Sequence, residues 1–280
     1  TTVPEIIDID VFNGGRLLQA LKTALSSRSI KEINLFGKVY LIEEIIGMYL
    51  KELKSRSDKI VGQDIKSAVF GRPVEYVGGD NKLAIERMTK ACEIAGFTDV
   101  KFEYEPVGAA YDYGVNIKED QKALIFDFGG GTLDISIFKF PEKKVLVNLG
   151  LPIGGDHFNS EIFMSNLSKY FGSEATYGSS NLSLPTYIFN ALQNWYEISL
   201  LKTKSFSESL NLFRYHCSDS EALDRLESLV KHNLGFSLYE EIERVKKSLS
   251  IDNEEKYSFQ KENIRIETLI NKKEFEEIIK

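Results

Sequence analysis

Three consecutive glycines, Gly129-Gly130-Gly131, lie between two strand-like runs in the stretch Ile125–Ile137 (IFDFGGGTLDISI), and they constrain the fold more than any other feature. An apolar run from Ala123 to Phe126 ends in Asp127, and a turn follows from Phe128 to Thr132. Leu133, Ile135 and Ile137 then alternate with Asp134 and Ser136, which predicts a strand with a dry isoleucine face and an opposite polar face. Glycine lets a backbone approach a ligand without side-chain obstruction, and consecutive N–H groups can form an anion-binding concavity. Asp127 and Asp134 bracket the turn, and a carboxylate pair beside a phosphate cradle suits a hydrated Mg²⁺. A plain flexible turn is the competing reading, and the two aspartates tip the balance toward phosphate binding. The stretch is neither a P-loop nor a dinucleotide fingerprint, because GxxxxGK[ST] and GxGxxG are both missing from it.

Three other elements carry matching chemistry. Phe102–Ala110 (FEYEPVGAA) reads as a strand end running into a helix, with Pro106 suited to the first helical turn. Glu105 then stands at the mouth of a sheet, where a carboxylate can orient an attacking water or simply favour a helix N-terminus. Gly154-Gly155-Asp156 precedes a helical pattern beginning near Phe158, which offers a second anion site or an ordinary cap. In Phe236–Ser250 the residues Leu238, Ile242, Val245 and Leu249 form a buried stripe. Glu243, Lys246, Lys247 and Ser250 share a neighbouring face, as a ligand-contacting set or as a surface ion-pair row.

In this order the four elements resemble the actin-like ATPase domain of the DnaK-type (70-kDa) heat-shock chaperone family. The strings Phe70–Val74 (FGRPV) and Ala95–Val100 (AGFTDV), with a long insertion between about Phe171 and Gly235, are similar to its YegD-like branch. The resemblance implies an α/β, actin-like (ribonuclease-H-like) ATPase fold fragment, with two lobes of mixed sheets flanked by helices and a mainly helical upper subdomain. It implies ATP/ADP and Mg²⁺ as cofactors, with Asp127 and Asp134 holding the metal through water. Glu105 would orient the hydrolytic water, and Gly129, Gly130, Gly131 and Thr132 would bind the β- and γ-phosphates. Gly154 and Gly155 match the family's upper-lobe glycine pair, and Glu243, Lys246, Lys247 and Ser250 its adenosine-contacting helix. Lys22, in Ala20–Leu25, resembles the phosphate-contacting lysine, although a surface lysine on an amphipathic helix fits the same pattern.

Two positions depart from the family pattern. Lys247 stands where an arginine usually stacks on the adenine, and an ammonium lacks the planar guanidinium. His157 follows Gly154-Gly155-Asp156 where an acid is usual. No Asp-x-Gly-Thr-Thr-like first phosphate motif and no late adenosine loop is found, so the stretch reads as a piece of a longer protein. The expected division is 1–118 as part of the first lobe, 119–155 as the second-lobe base, and 156–280 as its upper subdomain.

Composition fits a soluble protein, with 42% hydrophobic and 28% charged residues in 280. A net charge of −7 argues against nucleic acid as partner, since phosphate neutralisation dominates that binding. Cys92 and Cys217 have no CxxC spacing and His157, His216 and His232 are scattered, so a reduced cytoplasmic setting is expected and a zinc site is not. No run approaches the length of a membrane span. The partners expected are nucleotide and, by resemblance, protein clients or co-chaperones.

Along the chain, 1–13 reads as an edge strand, 16–25 as helical, and Leu41–Leu53 as a helix with Ile42, Ile45, Ile46, Tyr49, Leu50 and Leu53 on its apolar face. Ser67–Phe70 reads as a short buried strand, Asp80–Ala95 as a helix closed by Gly96, and Val100–Tyr104 as a strand. Phe171–Ser183 reads as a mobile loop, and Ile251–Thr268 as a strand hairpin. Three rival functions remain: an actin-like filament-forming ATPase, a non-enzymatic interaction module that kept the fold, and, least favoured, a small-molecule kinase on the same superfold. Each half of an actin-like cleft contributes donors, and each charge-assisted hydrogen bond lost costs about 1.5–3 kcal/mol. Isothermal titration of residues 1–280 with Mg·ATP is therefore expected to give millimolar or undetectable affinity; micromolar binding would refute the boundaries or the family.

Overall fold

The computed structural model describes residues 18, 21–28, 30–35, 37–77, 80–114 and 117–280. The edge strand expected at 1–13 and the first part of the 16–25 helix lie outside them. The chain divides into two compact units, Thr1–Gly154 and Gly155–Lys280. It is a mixed α/β protein with small sheets flanked by helices.

In the first unit a short helix, Leu21–Ser26, precedes an antiparallel hairpin of β1 (Glu32–Leu35) and β2 (Lys38–Leu41). The helix Ile42–Val61 follows and ends at Gly62, whose φ of 77° is left-handed. It buries Ile42, Ile45, Ile46 and Leu50, but Tyr49 and Leu53, expected on the same face, are exposed. The stripe narrows because only its Ile42–Ile46–Leu50 edge packs in the core formed with Ala84, Ala91 and Cys92 of the next helix.

β3 (Ser67–Arg72) and β4 (Asp99–Tyr104) pair in parallel, with Ser67 opposite Asp99 and Arg72 opposite Tyr104. The intervening helix, Asn81–Ala95, is the crossover that a parallel pair requires. Asp80 caps it by accepting from the Leu83 N–H at 3.1 Å, and Gly96 at φ 95° closes it. β3 is not the buried strand its composition predicts. It alternates, and Val69 is exposed, because among the described residues β4 is its only sheet neighbour.

β5 (Gln121–Phe128), β6 (Leu133–Phe140) and β7 (Lys144–Leu151) form an antiparallel sheet in that order. Asp127 pairs with Asp134 and Phe128 with Leu133, so the glycines form the hairpin turn. The expected polarity of β6 is reversed. Asp134 and Ser136 lie on the buried face with Phe138 and Phe140, which pack on Val107 and Ala110 of the helix Glu105–Tyr113. Leu133, Ile135 and Ile137 face the other way, half-buried, in register with exposed Phe128, Phe126 and Leu124 on β5 and with Leu151, Leu149 and Val147 on β7. The inversion is tolerated because the two polar side chains are satisfied internally, Ser136 by donating to Asn148 Oδ1 at 2.6 Å.

The second unit is mainly helical. Gly155–Ile162 runs on through Phe163–Phe171, and the helices Lys204–Phe213, Ser220–Lys231 and Gly235–Ser248 surround a core of Phe163, Leu167, Phe171, Leu223, Leu238 and Ile242. Two strands, β8 (Thr176–Tyr177) and β9 (Leu182–Ser183), correct the expectation of a mobile loop. Backbone bonds from Gly178 N–H to Tyr215 O and from Ser218 N–H to Thr176 O hold that hairpin at 2.8 Å each. β10 (Glu254–Lys261) and β11 (Ile264–Asn271) form the expected hairpin, burying Tyr257, Phe259, Ile264 and Ile266. The helix Lys272–Ile278 ends the chain. Among the described residues no helix is long and apolar enough to cross a membrane.

Ile242 is fully buried, whereas Leu212 is 61% exposed. Ile242→Ala is expected to cost about 2–5 kcal/mol by removing packed methyl groups, and Leu212→Ala less than about 0.5 kcal/mol. Equal shifts of the two variants in urea unfolding would contradict the placement of the helix Gly235–Ser248.

Candidate functional site

The glycine hairpin is built by backbone bonds and one buried acid. The Gly129 N–H donates to Thr132 O at 2.9 Å, closing the turn. The Thr132 hydroxyl donates to Asp134 Oδ2 at 3.1 Å, and the Val74 N–H donates to Asp134 Oδ1 at 2.8 Å. Asp134 is only 1% exposed, whereas Asp127, its partner across the hairpin, is exposed. The two aspartates thus share a register position and differ in environment. Asp134 joins the turn to the Gly71–Val77 segment, and Asp127 presents its carboxylate to solvent.

Gly154 sits directly against this turn. A Cβ built on it would run into the Gly130 carbonyl and lie 2.8 Å from Gly129 O. Gly150 is equally constrained, since its Cβ would fall 2.8 Å from the Glu75 nitrogen and 3.1 Å from Asp134 Oδ1. The glycines on this side serve close backbone approach, and neither needs a left-handed φ. A Cβ on Gly108, in the helix Glu105–Tyr113, meets nothing among the described residues, so none of them requires its smallness for packing.

Lys22 and Glu105, far apart in sequence, come together. Lys22 Nζ donates to both carboxylate oxygens of Glu105, at 2.7 and 2.8 Å. Glu105 opens the helix Glu105–Tyr113, with Pro106 in its first turn. Gly71 of β3 leaves room for it, as a Cβ there would stand 3.3 Å from Glu105 Cγ. Arg72 lies over the Tyr104 ring at 4.2 Å and donates to the Pro73 carbonyl at 3.1 Å, which fixes the exit of β3.

In the second unit, Glu243 is the hub of its helix face. Lys246 lies 2.5 Å and Lys247 3.4 Å from its carboxylate, and Asn159 Nδ2 donates to Glu243 Oε2 at 2.9 Å. Burial alone would raise the Glu243 carboxyl; hydrogen bonds from Lys246 and Asn159 outweigh it and hold the group below its usual range. Lys246 also donates to the Gly155 carbonyl at 3.0 Å, tying the start of the helix Gly155–Ile162 to this face. Lys247 is largely exposed, and Ser250 lies just past the helix end, exposed, its N–H donating to Lys247 O at 3.2 Å. His157 points outward, 3.7 Å from Glu161.

Asn159 is the residue that sequence reading missed. It is buried, its Nδ2 is committed to Glu243, and among the described residues its Oδ1 has no hydrogen-bond partner. An orphaned buried acceptor beside Glu243 and Lys246 is an uncompensated cost that a hydroxyl or amine donor would relieve. Its spacing from Gly155, one helical turn, was the available signal. The Val74 N–H had none, since a backbone donor leaves no mark in sequence.

Within the first unit, the exposed Asp127 carboxylate suits a metal held through water. Within the second unit, Asn159 carries an acceptor unused among the described residues, which suits a hydroxyl or amine donor. Among the described residues no three His, Cys, Asp or Glu side chains converge as a ligand cluster. A Mg²⁺ bound through water and phosphate needs only one or two carboxylates.

A small-sheet α/β protein with a glycine hairpin between paired aspartates and a lysine–glutamate couple at a helix start has the form of an actin-like ATPase domain. The family model described as Hsp70 protein matches residues 19–181, more than half of the chain. The chain belongs to the Hsp70 family, whose members are nucleotide-binding, chaperone-type proteins.

Gly154→Ala is expected to push the glycine turn away and destabilise the first unit by about 1–3 kcal/mol, as overpacking does. Gly108→Ala should be neutral or slightly stabilising, since alanine favours a helix by up to about 1 kcal/mol. Thermal unfolding of both variants checks this; an unperturbed Gly154→Ala would rule out the close approach.

Proposed function

We propose that the full-length protein binds ATP with Mg²⁺ and hydrolyses it to ADP and phosphate, as a chaperone-like member of the Hsp70 family from its YegD-like branch. The observation that carries the reading is the Lys22–Glu105 pair, which links two residues 83 positions apart. A half-exposed ion pair contributes little stability, roughly 0–1 kcal/mol, so folding alone gives weak reason for it. A lysine and a carboxylate held together suit phosphoryl chemistry, where positioning and electrostatics do most of the work.

In this reading Gly129, Gly130, Gly131 and Thr132 offer backbone donors to the β- and γ-phosphates. Asp127 would hold water around the metal, and Asp134, interior with its oxygens accepting from the Val74 N–H and the Thr132 hydroxyl, would act by fixing the turn. The metal would neutralise charge on the phosphates. Lys22 contacts the transferred phosphate, and Glu105 accepts a proton from, or orients, the attacking water. Gly154 and Gly155 approach the phosphate and ribose. Glu243, Lys246 and Ser250 contact the nucleoside, and Lys247 supplies a point charge at the base in place of a stacked guanidinium. Residues 1–118 form part of the first lobe, 119–155 the base of the second and 156–280 its upper subdomain, with hydrolysis coupled to lobe closure. The protein would work in the cytoplasm on protein clients or with co-chaperones.

In the full-length protein, Asp127→Asn is expected to lower single-turnover Mg·ATP hydrolysis by about 10–100-fold, the range for a residue acting through a metal's water shell. Higher Mg²⁺ should restore part of the rate. Asp134→Asn should lower both the rate and the melting temperature, because the Val74 and Thr132 bonds weaken with it. Unchanged hydrolysis in both variants would sink the assignment.

A further inference from the structure

Over the described residues the helix that carries Lys22 runs Leu21–Ser26, and fewer than two helical turns do not hold themselves together in water. Its final carbonyls have few donors of its own, the Ser26 hydroxyl at 3.2 Å from Thr23 O and the Ser27 N–H at 3.3 Å from Ala24 O. Arg87, from the middle of the helix Asn81–Ala95, supplies more: its Nη1 donates to the carbonyls of Ala24 at 2.8 Å, Leu25 at 3.1 Å and Ser27 at 3.0 Å. Arg87 is 7% exposed, and its charge sits at the C-terminal, negative end of the short helix. Two lighter ties accompany it. The Ser26 hydroxyl donates to the Val77 carbonyl, and Arg28 pairs with Asp80 at 2.7 Å. Arg28 is 85% exposed and Lys22 is 47% exposed, so neither surface pair can fix the helix. The buried guanidinium can.

We infer that Arg87 is a positioning residue: it caps the Lys22 helix and so holds the Lys22 ammonium against Glu105. Its bearing on turnover rests on the ATPase reading above; its hold on Lys22 does not. No part of Arg87 needs to touch nucleotide for this effect.

Trace acetylation of the full-length protein with acetic anhydride, read by mass spectrometry, measures access to the Lys22 amine. Lys204, 93% exposed, serves as the internal standard. Arg87→Gln is expected to raise the Lys22 to Lys204 ratio about threefold or more, toward the ratio in Glu105→Gln, as the short helix opens locally. Arg87→Lys keeps a cation in reach of the carbonyls and should fall between wild type and Arg87→Gln. An unchanged ratio in a cooperatively folded Arg87→Gln overturns the proposal. If that variant does not fold, hydrogen exchange of the wild type decides: amides of 24–26 should open only together with those of Asn81–Ala95, and free exchange there overturns it. In ATP turnover, Arg87→Gln should lower kcat about tenfold with little change in KM, and adding Lys22→Ala should cost nothing further. Fully additive losses would refute action through Lys22. A wild-type protein without ATP turnover would remove the ATPase reading and leave the labelling to judge Arg87 alone.

Discussion

The first unit depends on one buried carboxylate. Asp134 is withdrawn from water, and an unpaired charge in that position would be strongly destabilising. It is tolerated because both oxygens accept hydrogen bonds, one from the Val74 backbone and one from the Thr132 hydroxyl. That requirement locks the glycine turn to the segment leaving β3. The same segment meets the rest of the candidate site: Gly71 makes room for Glu105, Val77 lies against Gly131, and the Val77 carbonyl receives the Ser26 hydroxyl. One internal acid thereby fixes where the glycine turn stands in relation to the Glu105 helix.

Glu243 has a comparable place in the second unit, with the opposite balance. It is only partly buried, and two donors from different elements hold it ionised. Lys246 extends the arrangement to the Gly155 carbonyl, so the first turn of one helix and the last turns of another are set by a single carboxylate. The cost is the unused Asn159 Oδ1, left without a partner among the described residues. Binding sites commonly retain such costs, because a ligand donor can remove them.

Period and punctuation read well from the sequence wherever the decisive physics was local. Asn81–Ala95 ends at Gly96 because only a left-handed residue closes it there. Leu238, Ile242, Val245 and Leu249 are buried as their helical spacing predicts, and Tyr257, Phe259, Ile264 and Ile266 as their strand alternation predicts. The same rules failed where burial depended on a neighbour. Tyr49 and Leu53 continue an apolar stripe that none of the described residues covers. The Gly/Ser-rich stretch after Phe171 becomes a hairpin through bonds to Tyr215 and Ser218, some forty residues on. On β6 the alternation was right and its direction wrong, since two polar side chains with internal partners can occupy the covered face.

By itself, the sequence determined the glycine turn between two strands, the helix starting at Glu105, the stripe of the Glu243 helix and the resemblance that the family match supports, because local spacing and backbone freedom encode each of these. Tertiary structure alone decided that Lys22 reaches Glu105, that Arg87 caps the helix bearing Lys22, and that Asp134 is interior while Asp127 is not. Each of those outcomes is a hydrogen bond or a burial between distant segments. Their donors include backbone N–H groups that every residue but proline carries, so no pattern in the chain distinguishes the one that is used.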